Sequence, residues 1–528
     1  MKFLKLSLAT SFMVAANLAS AAVLHDLPFK GEDFSDAQKL FTKDHAETQT
    51  QKYGYDIGAR RFDSSRGVWT SLLGSLTDYE ANPTNNKYII YKKPVYAMRD
   101  GKIIACWRNA PENPRPKIST DTDTGKQWLH PKYKEGLIPG GGNMLIVEHN
   151  DGTRMLYAHM TPGSISSTLC PKSATTYSRK PDTTKGEDAM DEEFTGLTPG
   201  QQVTVTKGQL LGLVGNSGSS TGPHLHIHLT KNNYAEEIYF RKGISSPVDN
   251  SLPNGTWTSF AGGKIPSGQR LLWAPRTLSS TYVRHAFAEP GFKGLFAHLT
   301  DSGFKPSWLD AYKVGNATYY NMVWKPADVQ WRAVYGLSSS AYNTAFAKAI
   351  NDGFAPVHVD SHQVGSGAAY TAIFEKRSGS FLARHNLTEA QHSQVFEEAK
   401  QKNLRPKAAS VISVDGQRRY TVLYRSDNIG GYVLQTKIPS ADYQSFFDAQ
   451  KAAGRKPLYL NSYYHDGQVY FTGIFSTVPS SPMAASHNIT GATFQTLFDD
   501  YKKSGYLPSI VAGIDGYPSH RFAAVWRK

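Results

Sequence analysis

The sequence predicts a multidomain chain with two architectures: an N-terminal, mainly antiparallel β domain, and a C-terminal α+β region of five helix-plus-hairpin tandem units. Three observations carry this expectation. The chain has 528 residues, more than a single hydrophobic core usually organises. Its first half reads as short alternating strands broken by glycines, and its second half repeats at a fixed period. With 40% hydrophobic, 12% aromatic and 19% charged residues, a disordered or collagen-like chain is excluded.

Residues 1–21 read as a signal peptide. Lys2 and Lys5 precede an apolar run from Leu6 to Leu18, and Ala19-Ser20-Ala21 supplies small residues for cleavage after about Ala21. The run is shorter than the roughly 18–20 residues a membrane-spanning helix needs, and no later segment is long enough. The expectation is a secreted or periplasmic protein with no transmembrane segment in the mature chain. The net charge of +14, from 58 Lys+Arg against 44 Asp+Glu, is spread without a long basic run. By itself it favours anionic surfaces in general, with cell wall, lipopolysaccharide and nucleic acid all open.

Residues 22–250 form the β domain. Asn143–His149 and Arg154–His159 alternate as half-buried strands do. Cys106 and Cys170 are the only cysteines, the right number for one bridge in an oxidising compartment and too few for a thiolate zinc cage. They stand at the entrances of two polar insertions, about 108–141 and 166–199, so a bridge would tie the two loop bases together. Residues 251–275 are rich in Gly, Ser, Pro and Asn and read as a linker.

Residues 276–528 hold the repeat. Phe is followed ten residues later by Pro at Phe296/Pro306, Phe346/Pro356, Phe396/Pro406, Phe447/Pro457 and Phe498/Pro508. Eighteen residues beyond each Pro stands an aromatic: Trp324, Phe374, Tyr424, Phe475 and Trp526. Another lies four before it, at Tyr320, Tyr370, Tyr420, Phe471 and Phe522. In the third unit Thr388 and Gln391 make a capping box, the helix runs to about Lys402, and Asp415-Gly416 turns a hairpin. The repeated aromatics are read as core in preference to a ligand-stacking strip, because a repeat must first bury something against its neighbours.

Chemistry concentrates at Gly215-Asn216-Ser217-Gly218-Ser219-Ser220-Thr221-Gly222-Pro223-His224-Leu225-His226-Ile227-His228. Three histidines at alternate strand positions project from one sheet face, which suits a metal with an adjacent base and equally suits a solvated or core-satisfied set. His45 lies eleven residues before Asp56, and His159 ends a strand. His149, where a strand runs into a turn, is read as structural or surface and not as catalytic. His285, His385 and His487, near the starts of separate repeats, are not read as metal ligands.

Taken together, Gln51–Gly58, Pro94–Ala97, Asp100–Ile103, Gly142–His159 and Val203–Leu229 resemble the zinc metallopeptidases of the M23 type, the lysostaphin-like, LasA-like and β-lytic enzymes that cut peptidoglycan. The resemblance implies Zn2+ held by His45, Asp56 and His226, with His224 and His159 as the catalytic pair beside a metal-bound water. Two features depart from the commonest pattern. Many members have only three residues between the first two ligands, and position 228 is His where Glu often sits; His228 is read either as a partner of a ligand or as exposed. About two dozen residues between the expected cleavage site and His45 leave no room for a long inhibitory prosegment.

The function implied is a secreted zinc endopeptidase acting on peptidoglycan stems or cross-bridges, with an anionic cell-envelope surface and no nucleic acid as partner. Two alternatives stand beside it: a non-catalytic wall-binding or regulatory protein, and an exported protease acting on Gly-rich proteins. The tandem units resemble the bacterial repeats of about 50 residues also found in fungal polyglycine hydrolases, which implies a binding or scaffold role. The β-lactamase-like half that carries the catalytic serine in those proteins has no counterpart here.

Overall fold

A computed structural model describes residues 22–45, 50–182, 192–277 and 281–528. The signal-peptide reading of residues 1–21 lies outside them. The chain is mostly β, with a β domain followed by five helix-containing repeats.

The β domain is built on a large antiparallel sheet. Its central strands run in the order Gln38–Asp44, Tyr55–Asp63, Leu225–Lys231, Arg154–Met160, Asn143–Glu148, Gly101–Trp107. Period-two alternation decides which face each side chain takes. Tyr55, Ile57 and Ala59 enter the core with Leu225, Ile227 and Leu229, so Asp56, His226 and His228 take the opposite face. A one-residue slip would bury all three.

Residues 251–275, expected as a linker, belong to this sheet. Arg270–Trp273 pairs with Gln38–Asp44 on one side and Ile244–Pro247 on the other, and Thr258–Ser259 completes that edge. The cause is burial: Leu271 and Leu272 are fully enclosed, and four residues sufficed to carry a strand through an otherwise polar stretch.

Cys106 and Cys170 are bonded and fully buried. The bridge joins residues 64 apart. Closing a loop of that length removes enough unfolded-chain entropy to contribute roughly 4 kcal/mol. Denaturant unfolding with and without reductant is expected to show a loss of that order, and a Cys170→Ser chain as stable as the parent would contradict it.

Each repeat is an outer strand, a helix and a hairpin. In the third, Phe381–Leu387 leads into the helix Glu389–Gln401, followed by Arg405–Val414 and Gln417–Arg425. The Thr388–Gln391 capping box forms in full, and Asp415 and Gly416 both take positive φ, as a tight two-residue hairpin turn requires. All ten repeated aromatics are at most 2% exposed, which settles them as core and removes the stacking-strip reading. The strands bearing the prolines, Phe304–Val314, Ala355–Val364, Arg405–Val414, Lys456–His465 and Leu507–Asp515, pack side by side, and the fifth returns to the first. Trp308 Nε1 donates to Val511 O (2.8 Å), and the Gly513 N–H donates to Asp310 Oδ2 (2.9 Å). The array is therefore a closed ring of five, not an open solenoid.

His285, His385 and His487 serve this packing. Each stands on an outer strand against the preceding unit's helix, at 4.4 Å from Phe494, 5.0 Å from Tyr342 and 4.7 Å from Tyr443 between ring centroids. The first unit also docks on the β domain: Tyr282 Oη and Arg284 Nε donate to Asp36 Oδ2 (2.7 and 2.6 Å), and Trp273 stacks on His298 at 4.3 Å. Among the described residues no helix is long and apolar enough to cross a membrane.

Candidate metal centre and its groove

Sheet register assembles the site. Asp56 and His226 are direct cross-strand partners, and His226 is the partner of Ala158 on its other side. His159 follows Ala158 and has φ of 68°, which interrupts the strand alternation. Both Ala158 and His159 consequently line the same groove.

The eleven-residue separation of His45 from Asp56 is absorbed by the connection between two paired strands. Asp44 stands opposite Tyr55, and the His45 N–H donates to Gly54 O (3.1 Å), so His45 returns to the sheet end whatever length lies between. Its Nε2 lies 3.1 Å from Asp56 Oδ1, and His226 Nδ1 lies 2.9 Å from the same oxygen. One potential ligand atom from each of His45, Asp56 and His226 falls within 4.8 Å of the others.

The Gly-rich segment positions the remaining two imidazoles. Gly142 and Gly218 meet backbone to backbone: a Cβ on Gly218 would lie 2.4 Å from the Gly142 nitrogen, and one on Gly142 2.3 Å from Ser217 Oγ. This approach presents Ser217 O to His159 Nδ1 at 2.8 Å, while Gly222 O lies 2.8 Å from His224 Nδ1. Since a carbonyl only accepts, each Nδ1 carries a proton and each neutral ring keeps its lone pair on Nε2. His224 Nε2 is 3.4 Å from Asp56 Oδ1, and the His159 and His224 rings are 4.8 Å apart. Asn143, fully buried, braces the floor: Oδ1 accepts the Ala110 N–H (2.7 Å), and Nδ2 donates to Ala110 O (2.8 Å) and Met160 O (3.0 Å).

Electrostatics follow from burial beside one carboxylate. Burial alone would raise Asp56, but His224, then His226 and His45, outweigh it and hold the carboxyl well below its usual range. His159 is driven well below an ordinary imidazole, by burial first and then by His224 and His226. Burial also lowers His226. For His224 burial pulls downward, yet Asp56 prevails and raises it. The site is thus one ionised carboxylate with an asymmetric pair of imidazoles, one held neutral and one inclined to hold a proton.

His228 is 6% exposed, so the exposed reading does not hold. Its Nδ1 lies 2.9 Å from His226 Nε2, and burial lowers it to about 3. His149, 3% exposed with Nδ1 2.8 Å from Asp100 O, is structural as read.

The groove over these residues has a volume of about 440 Å³. Among the described residues, the first insertion reaches it through Gly140–Gly141 and the second through Glu192. Arg154, Thr230 and Asn233 line it too and were not singled out from the sequence. Period-two counting back from Ala158 and forward from His228 would have found Arg154 and Thr230; Asn233 lies in a turn, where no period applies.

No curated protein matches the chain. Among solved structures, the lysostaphin catalytic domain from Staphylococcus simulans aligns at 22% identity over 29% of this chain and 78% of that one, with a TM-score of 0.14. A zinc-containing peptidase from Vibrio cholerae aligns at 17% over 35% and 48%, with a TM-score of 0.15. The antimicrobial peptidase lysostaphin from Staphylococcus simulans aligns at 15% over 53% and 78%, with a TM-score of 0.16. The five C-terminal units, residues 280–327, 328–377, 378–426, 430–478 and 480–528, each match the family model described as a polyglycine hydrolase-like structural repeat.

Proposed function

We propose that the chain is an exported zinc metalloendopeptidase that hydrolyses peptide bonds of peptidoglycan stems or cross-bridges, with residues 22–250 as the peptidase domain, extended by the strands of 251–275, and the repeats of 276–528 as a binding and positioning region. The observation that carries this reading is the convergence of His45, Asp56 and His226 beside two further imidazoles in an open groove. Two imidazoles and one carboxylate are the donor set of a catalytic zinc, with no thiolate available and room for a fourth, non-protein ligand.

Zinc held there would lower the pKa of a bound water to about 7 and polarise the scissile carbonyl. The protein's own part is to hold and move protons. His159, kept neutral by burial, offers its Nε2 lone pair as a base toward the groove, with its ring fixed by Ser217 O. His224, its ring fixed by Gly222 O at Nδ1, is the second proton carrier at the groove and, once protonated, the donor to a developing oxyanion or a departing amine. A His226 Nε2–H donated to His228 Nδ1 would fix the tautomer that leaves Nδ1 free to hold the metal.

The test pairs zinc content with hydrolysis. The purified mature chain is incubated with peptidoglycan and, separately, with oligoglycine. About one bound zinc per chain and new amino termini from peptidoglycan are the expected result. Zinc without wall cleavage but with oligoglycine cleavage would move the substrate to Gly-rich proteins. No zinc and no cleavage of either would leave a non-catalytic wall-binding protein.

A further inference from the structure

A second cavity, of about 700 Å³, opens at the centre of one face of the five-unit ring and is lined by residues of all five units. Its construction follows the repeat. The residue after each repeated proline lines it, namely Ser307, Val357, Lys407, Leu458 and Ser509, and only Lys407 among them is charged. One residue further on, Trp308, His358 and Tyr459 form an aromatic floor, with ring centroids 4.8 Å apart for Trp308–His358 and 5.4 Å for Trp308–Tyr459. Each aromatic is 6% exposed or less, so the floor is fixed by packing.

The cavity's charge is unbalanced. Five cationic residues line it against two carboxylates, Asp328 and Glu375, and both carboxylates are engaged by Lys305, at 2.7 and 2.6 Å. Arg377 reaches Asp427 at 3.4 Å. Three cationic groups are left over, of which Lys325 is exposed. Lys407, half-buried, makes no hydrogen bond or ion pair among the described residues, and burial lowers its pKa. Arg527 donates through Nη2 to Pro457 O, but its Nη1 is buried with no partner among the described residues. A buried donor on a charged group is costly to leave unmatched, and Arg527 Nη1 together with the unpaired Lys407 ammonium beside one cavity of ligand size points to an anionic ligand.

We propose that this axial cavity binds an anionic sugar unit, a saccharide ring carrying a carboxylate or a phosphate, with the oxyanion between Lys407 and Arg527 and the ring over the part of the floor formed by Trp308 and His358. Bidentate Arg and a point-charge Lys suit either oxyanion, and aromatic side chains suit the apolar face of a sugar. A site of this kind gives the positioning region a ligand, and it stands or falls independently of the metal centre.

The test is calorimetric titration of the full mature chain with D-glucuronate, N-acetylglucosamine 1-phosphate, inorganic phosphate and neutral N-acetylglucosamine. One of the two charged sugars is expected to bind saturably below about 10 mM, and at least about tenfold more tightly than the neutral sugar or phosphate alone. Lys407→Met, which keeps the alkyl stem, and Arg527→Gln are each expected to weaken it about tenfold while melting as the parent does. His226→Ala is expected to bind the sugar unchanged, which separates this result from the fate of the peptidase reading. Absence of saturable binding by both charged sugars, equal binding of inorganic phosphate, or undiminished binding in both folded variants would overturn the proposal. Which charged sugar binds tells carboxylate from phosphate.

Discussion

On the proposed zinc-peptidase reading, the His226→Ala chain is expected to lose zinc binding and at least about 10³-fold in peptide-hydrolysing rate, because one substitution removes a proposed ligand and the group that pairs with Asp56. The second effect compounds the first. His226 Nδ1 is 2.9 Å from Asp56 Oδ1, so its removal strips the carboxylate of one of the partners that hold it ionised. His228→Gln, one step outward, is expected to act more mildly, with zinc affinity falling about 10- to 100-fold and hydrolysis recovering when zinc is added. Metal content and initial rate measured together over a zinc titration check both variants. Full activity in zinc-loaded His226→Ala would remove His226 from the ligand set, and His228→Gln with parental zinc affinity would leave its 2.9 Å contact without a function.

The second large effect concerns the ring. Asp515 is buried at the junction of the fifth unit with the first two, where its carboxylate accepts the Lys313 N–H (2.8 Å) and the Gln363 N–H (3.1 Å). Burial pushes it up to about 7, and the two amides pull it only partly back. A carboxyl raised in the folded state contributes stability that is complete below its unfolded value near 3.8 and is lost as pH rises through about 7. Asparagine keeps Oδ1 to accept the Lys313 N–H, loses the second acceptor, and cannot ionise. Asp515→Asn is therefore expected to gain on the parent as pH rises, by about 2–4 kcal/mol more at pH 8 than at pH 4. Denaturant unfolding of both chains at the two pH values measures that difference directly, free of the buried histidines that both share. A gap independent of pH would show that Asp515 is ionised throughout.

Much of the site was legible because its chemistry is local. His224, His226 and His228 sit at alternate positions of one strand, and alternation alone puts them on one face. Glycine at 142 and 218 signals a close backbone approach that no other residue permits. The departure at His45 was harder to read, since spacing along the chain says little when a connection joins two paired strands. The register Asp44–Tyr55 makes the separation immaterial. The 251–275 stretch misled for the opposite reason: its Gly, Ser and Pro residues set local preference, while four residues from Arg270 found a strand edge waiting.

The sequence by itself determined the two architectures, the period of the five units with their buried aromatics, and the shared face of His224, His226 and His228, because burial periodicity and residue chemistry are written position by position; His45, Asp56 and His159 were marked by the family resemblance of their motifs. Tertiary structure alone decided that the five units close into a ring, that His228 backs His226, and that Lys407 and Arg527, 120 residues apart, share one cavity. Each of these depends on where distant segments meet. Ring closure is set by the small rotation each unit imposes on the next, a quantity that accumulates over the whole array and that no single repeat encodes on its own.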